Sequence, residues 1–232
     1  MKVIKFIPWV EHYPLVKPVR SQIPQWWKKG ETEVIINGEK QGNGMKSCIP
    51  FMEIMSGGYE ILTPFDIHVI KDEDGNTQVR WQGPEGWDDF VGERAKELGA
   101  TIPRPAGHLP MGFIWSCKWS WKTPKGYSTF VTHPFNRYEL PFTTLNGIID
   151  SDGFHGNGNI PFFIKEDFSG TIPEGTPFVQ IFPFKRDKWK MWTDNSFNAR
   201  ILEDQNKNLR TADENGLYPW SYKKRFWKKK EF

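Results

Sequence analysis

The chain has 232 residues, of which 38% are hydrophobic and 16% aromatic, with 12 Trp and 18 Phe against a net charge of only +3. Disordered chains are poor in aromatics and strongly charged, so disorder is excluded for most of the length, and 232 residues suffice for one large core. The last twelve residues, Ser221–Phe232, hold six Lys/Arg against Glu231, which leaves the body slightly acidic and excludes it as a basic nucleic-acid platform.

That tail interleaves Tyr222, Phe226 and Trp227 with its lysines. It therefore reads either as a base-stacking or lipid-surface element or as a solubilising tail whose aromatics pack on the body. Nucleic acid is expected through this segment alone. Cys48 and Cys117 are far apart, with no second thiol at metal or redox spacing, and a reducing, cytoplasmic compartment is the simpler expectation. Met1–Val10 lacks the pattern of a signal peptide. No run approaches the ~20 apolar residues of a membrane helix, so no membrane insertion is expected.

In chain order, Lys2–Ile7 alternates as a first strand, and Pro14, Pro18 and Pro24 then break the chain into extended pieces. Ile23–Gly30 reads as a short helix anchored by Trp26 and Trp27, with Gly30 as its stop. Glu31–Asn37 is a strand closed by the Asn37-Gly38 turn. Ser47–Met55 reads as a short helix ended by Gly57-Gly58, with Cys48 buried in it.

Tyr59–Lys71 and Thr77–Gln82 form a hairpin around Asp72–Asn76. Trp87–Leu98 has a helical pattern ending at Gly99. Phe113–Lys122, Tyr127–Thr132, Ile160–Lys165 and Phe178–Phe184 read as strands, separated by turn signals at Thr123–Gly126, Ser151–Gly158 and Pro173–Thr176. Trp115, Trp119 and Trp121 alternate with polar residues in the first of these, either as hairpin packing or as an aromatic surface. Ser196–Asp204 is a last helix. The expected fold is mainly β, a single β-rich barrel, jelly roll or related domain with a few short helices. Residues 1–57 are an N-terminal extension, 58–193 the core, and 194–232 a C-terminal helix, loop and tail.

The stretch Asn146-Gly147-Ile148-Ile149-Asp150-Ser151-Asp152-Gly153-Phe154-His155-Gly156 ends an apolar strand on a carboxylate inside a Gly-rich turn. Asp150 is placed there either as an Asx-turn residue or as a rigidly held base or water anchor. The segment resembles the third motif of the dUTPase family, Gly-hydrophobic-Ile-Asp-x-Asp-Tyr-x-Gly. Asp150 fits the Asp that orients water and sugar. Gly153 is a one-residue insertion, and Phe154 stands for the sugar-stacking Tyr.

Gly175-Thr176-Pro177-Phe178-Val179-Gln180 resembles the fourth motif at Gly175 and Gln180. Pro124-Lys125-Gly126-Tyr127 resembles the turn before the second motif. There His133-Pro134-Phe135-Asn136-Arg137 replaces the phosphate-gripping Arg-Ser-Ser, leaving Asn136 and Arg137 as substitutes. Gly58-Tyr59-Glu60-Ile61 is similar to the first motif, with Glu60 for its Asp. The Gly-rich C-terminal phosphate loop has no counterpart.

The resemblance implies a β-clip fold and a nucleotide ligand, with Asp150 catalytic and Phe154, Arg137, Asn136, Gln180, Glu60 and Gly147 nucleotide-binding. It also implies a homo-oligomer, a trimer in that family. Magnesium is the implied cofactor if the protein hydrolyses nucleotides; the residues themselves name none. The chain also looks like an uncharacterised bacterial and phage family, which keeps open a non-catalytic oligomeric binding module. A third reading takes His133 and His155 with Asp150 as a cupin-like metal site.

Overall fold

Period-two alternation and closely spaced turn residues make this chain a set of short antiparallel strands, seen in a computed structural model that describes residues 2–11, 13, 16–93, 103–154, 156, 158–194, 199–203 and 226–232. The elements run β1 (Lys5–Pro8), β2 (Lys17–Pro18), α1 (Gln25–Lys29), β3 (Glu33–Ile36), β4 (Glu39–Asn43), α2 (Ile49–Ser56), β5 (Tyr59–Leu62), β6 (Ile67–Lys71), β7 (Thr77–Trp81) and β8 (Val91–Glu93). They continue as β9 (Phe113–Ser116), β10 (Trp119–Lys122), β11 (Tyr127–Thr132), β12 (Phe142–Thr144), β13 (Gly147–Ile149), β14 (Asn159–Ile164), β15 (Gly170–Ile172) and β16 (Pro177–Lys185). The protein is mainly β. It divides into two units, one of residues Met1–Val19 and Gly58–Arg186, the other of Arg20–Gly57 and Asp187–Phe232.

The first unit holds a five-stranded sheet in the order β13-β11-β16-β5-β2, a four-stranded sheet β12-β14-β9-β8, a three-stranded sheet β15-β6-β7 and the pair β1-β10. In the five-stranded sheet Val131, Ile181, Val179 and Ile61 share the core face, each at most 2% exposed. Their neighbours Phe130, Phe182 and Ile148 take the outward face, as strand alternation demands. The core is aromatic. Trp115 stacks on Phe162 with centroids 3.7 Å apart and planes 9° apart, and packs edge-on to Phe142. Its Nε1 donates to Thr144 Oγ1 at 3.3 Å, so the ring's one polar atom is satisfied inside the core.

The second unit is built around α1, the β3–β4 hairpin and α2. Trp27 packs on Phe51, joining the two helices. Asn37 and Gly38 turn the hairpin with φ of 53° and 81°, left-handed values that Asn and Gly tolerate. The tail returns to α2: Trp227 Nε1 donates to Glu53 Oε1 at 2.7 Å and Lys230 Nζ to Glu53 Oε2 at 2.6 Å. Trp227 is thus an anchoring residue. Tyr222 lies outside the described residues.

Three expectations are corrected. Trp87–Leu98 does not begin a helix. Trp87 and Phe90 are both 1% exposed and pack around Phe65, and Val91–Glu93 pairs with β9, so sheet pairing and aromatic burial override the helical spacing; residues 94–98 lie outside the described residues. Trp115, Trp119 and Trp121 form no aromatic surface, being 0%, 4% and 4% exposed. Lys118, with φ 53°, breaks the expected single strand into β9 and β10 and turns all three rings inward. Cys48 is exposed, because it caps α2 from outside the helix. Of the expected last helix, residues 199–203 are helical and the remainder lies outside the described residues.

Replacing Trp115 by Ala removes the stack and the Thr144 bond together. It is expected to cost about 3–5 kcal/mol of unfolding free energy, measured by denaturant titration. The same change at exposed Trp189 should cost under about 0.5 kcal/mol.

Candidate functional site

The residues singled out by the motifs fall into two groups at opposite ends of one strand ladder. β11 pairs with β16 from Tyr127↔Lys185 to Thr132↔Gln180, and with β13 up to Thr129↔Ile149. Asp150 follows β13 directly, so it stands beside Ser128, whereas Gln180 and its β5 neighbour Glu60 stand beside Thr132. Four residues of β11 separate the two, about 13 Å at ~3.3 Å per residue.

At the first end Asp150 keeps its side chain 72% exposed. Its Oδ1 accepts from Ser128 Oγ at 2.6 Å and from Arg186 Nη1 at 3.2 Å. Ser128 is fully buried, so it is a fixed donor. Arg186 continues from β16 and is held by its backbone N–H on the Gly126 carbonyl at 2.9 Å. Its guanidinium grips Asp152, with Nη1 to Oδ1 at 2.9 Å and Nη2 on Oδ2, while the Gly126 N–H also donates to Asp152 Oδ2 at 2.8 Å. These bonds hold the Asp152 carboxyl down at about 2.

The turn itself closes by Gly153 and Phe154 N–H groups on the Asp150 carbonyl. The Phe154 ring, 53% exposed, lies over Gly156, where a Cβ would sit 2.3 Å from it. Gly147 opens β13 opposite Val131 with open space around its Cα. His155 lies outside the described residues.

At the second end Gln180, 1% exposed, accepts the Phe135 N–H on Oε1 at 2.8 Å. This ties the 133–137 loop over the sheet. Asn136 turns that loop with φ 59°, a left-handed value Asn adopts readily. Arg137 pairs with Glu139 and its charge reaches Glu60.

Glu60 is 2% exposed, and its Oε2 has no hydrogen-bond partner among the described residues. Burial pushes its carboxyl up to about 8, against a smaller opposing pull from Arg137. His133 has both ring nitrogens in use: Nε2 donates to the Arg137 carbonyl at 3.2 Å and Nδ1 accepts from the Thr144 N–H at 3.3 Å. Burial lowers it to about 4, so it is a neutral, structurally employed imidazole.

Among the described residues no three His, Cys, Asp or Glu side chains converge on one point. Magnesium is commonly bound by one or two carboxylates together with substrate phosphates. Here both carboxylates of the Asp150 end are bonded to Arg186, so the described residues build no metal cage of their own and no chemical step is derived through a metal. A separate surface cleft of about 310 Å³, lined by Glu139, Lys165, Asp167, Thr171 and Thr176 among others, contains none of Asp150, Phe154, Arg137, Asn136, Gln180, Glu60 and Gly147.

Two residues of the site, Ser128 and Arg186, carry no motif in the sequence. Ser128 has no nucleophile context around it, although its place opposite Asp150 follows from pairing β11 with β13. Arg186 stands one residue past the end of β16, and carrying the strand through to Lys185 brings it beside Gly126.

A carboxyl titrating at 4.5 unfolded and about 8 folded binds more protons in the native state between those values. Its contribution to stability is therefore full below pH 4.5 and is lost as pH rises to 8. Unfolding free energy should fall by a few kcal/mol across that window. Glu60→Gln should flatten the fall, as followed by urea titration at several pH values.

No family model and no curated protein sequence matches the chain. Among solved structures, the chain is similar to the dUTPase of Staphylococcus bacteriophage 80alpha in complex with dUpNHpp, at 9% identity and a TM-score of 0.39 over 84% of this chain and 99% of that one. It is similar to the dUTPase of phage phi11 of S. aureus at 12% identity and TM-score 0.37, over 84% and 98% of the two chains. It is also similar to the EIAV dUTPase at 13% identity and TM-score 0.30, over 60% and 86%.

Proposed function

We propose that the protein binds a nucleotide at the Asp150 end of the five-stranded sheet and is a relative of the nucleoside triphosphate pyrophosphatases. The observation that carries this reading is the Asp150 carboxylate itself. It is exposed to incoming ligand, yet fixed at a strand end by a buried serine and an arginine. A base or water anchor requires that combination of access and rigidity.

Ser128 and Arg186 occupy Oδ1, which leaves Oδ2 to accept from a sugar hydroxyl or an attacking water. Phe154 offers its half-exposed ring as a sugar platform. Asn136 and Arg137 supply polar contacts from the 133–137 loop. Gln180, almost fully buried, acts by holding that loop through the Phe135 N–H, and buried Glu60 acts through the charge of Arg137. The motif resemblance over Pro124–Phe184 supports the same ligand class.

The two groups stand about 13 Å apart along the ladder, and the reading includes a homo-oligomer in which the 133–137 loop of one copy meets the Asp150 turn of another. The outward row Ile148–Phe130–Phe182 supports this assembly. Phe135 packs on Phe130 and Phe182, and Ile148 at the end of that row is left 65% exposed, an apolar edge open to a second copy. The same row favours the second reading, an oligomeric binding module without catalysis.

A panel of deoxynucleotides with and without magnesium should contain one that raises the melting temperature. At a hundredfold excess over Kd the gain is about 2.7 kcal/mol, or roughly 5–10 °C for a chain of this size. No shift with any nucleotide would sink the proposal. In Asp150→Asn the shift should persist while triphosphate hydrolysis falls at least about a hundredfold. A wild type that binds without hydrolysing would decide for the binding module. Light scattering should give a multiple of 27.1 kDa, reduced to the single chain by Ile148→Lys; a monomeric wild type refutes the shared site.

A further inference from the structure

Among the described residues, the large apolar side chains left most open to water sit together in one short segment. Trp189, Met191 and Trp192 are 90%, 90% and 79% exposed, on a stretch of the second unit that carries no helix, strand or turn. Scattered exposed apolar residues need no explanation. Two tryptophans and a methionine within four residues do, because each indole forgoes the burial that makes it valuable elsewhere in this chain. Lys188 and Lys190 alternate with them, giving Lys-Trp-Lys-Met-Trp.

Asp187 and Asp194 flank the two lysines of this segment, but the unit that contains it is basic as a whole. The unit that contains it, Arg20–Gly57 with Asp187–Phe232, has sixteen Lys and Arg against eleven Asp and Glu, a net +5, while the other unit is net −2. The tail of the same unit leaves Lys228 and Lys229 exposed, since Trp227 and Lys230 are the residues that hold it to Glu53. Open indoles alternating with lysines on a basic unit suit three kinds of occupant in physical terms. Protein interfaces are depleted in lysine at their centres, which disfavours alternating Lys and Trp as a protein contact. Lipid-surface elements present their apolar residues on one face of a helix, and this segment has none. Single-stranded nucleic acid needs cations for its phosphates and flat rings for its unpaired bases, without regular secondary structure between them.

We infer that Lys188–Trp192 is a binding site for single-stranded nucleic acid. Trp189 and Trp192 stack on bases and Lys188 and Lys190 contact the backbone phosphates. The site is separate from the nucleotide site proposed at Asp150 and does not depend on it.

The test uses the full-length protein and a fluorescently labelled oligothymidylate followed by anisotropy, with duplex DNA and phosphatidylserine-containing vesicles as alternative probes. The wild type should bind the single strand in preference to the duplex, with tryptophan quenching and an affinity that falls with salt. Each of Trp189→Ala and Trp192→Ala should weaken binding about tenfold. Lys188→Gln with Lys190→Gln should reduce the logarithmic salt slope by about 1.4, at ~0.7 for each phosphate no longer neutralised. The replaced side chains are exposed, and an unchanged melting temperature verifies that each variant is folded. Absence of binding at low salt, binding unaffected by the tryptophan substitutions, or binding to vesicles alone would each overturn the inference. A change of oligomeric mass in Trp189→Ala without oligonucleotide binding by the wild type would overturn it too, assigning the segment to contacts between copies.

Discussion

The antiparallel ladder between β11 and β16 is the constraint on which both halves of the candidate site depend. Its register fixes which side chains reach the core and which face outward. On the inner face Val131 and Ile181 join the aromatic core. On the outer face the same register runs from Thr132 and Gln180, through Phe130 and Phe182, to Ser128 and Phe184. A slip of one residue would exchange the faces. It would expose the core residues and bury the phenylalanine row, while removing Ser128 from Asp150. The geometry of the carboxylate is thus tied to the packing of the core, and neither can be altered without the other.

The two ends of this ladder solve opposite electrostatic problems. At the Asp150 end, Arg186 bonds both carboxylates of one turn, and its bidentate grip keeps Asp152 ionised. At the Glu60 end, a carboxyl is sealed from water with one oxygen unpartnered among the described residues, which favours its neutral form. Arg137 lies near enough to act on Glu60 but spends its hydrogen bond on Glu139. An unsatisfied buried acid lowers stability, and this one lies beside the strand end that carries the 133–137 loop.

Much of the fold is legible in the sequence because its signals are local. The Asn37-Gly38 and Asp72–Asn76 turns announce their hairpins, and the strands at Tyr127, Asn159 and Pro177 stand out between Gly- and Pro-rich turns. Asp150 is legible for the same reason, since the strand, the carboxylate and the glycines lie within ten residues. What the sequence hides is set by distant partners. The Trp87–Phe90 stretch has helical spacing, but its rings are claimed by Phe65 and the residues after it by β9. The Trp115, Trp119 and Trp121 series suits surface or core equally well until the φ of Lys118 turns it inward. Arg186 is more than thirty residues from Asp150 in sequence, and only the strand register brings them together.

The margins of the five-stranded sheet limit how copies of the protein can join. One border is β2, two residues long and ending in Pro18, which has no N–H to offer. The other is β13, three residues long and cut off by the Asp150 turn. Neither border gives a neighbouring chain a template for extending the sheet, the usual route to fibres. The homo-oligomer proposed above would therefore be built through surfaces other than these two borders.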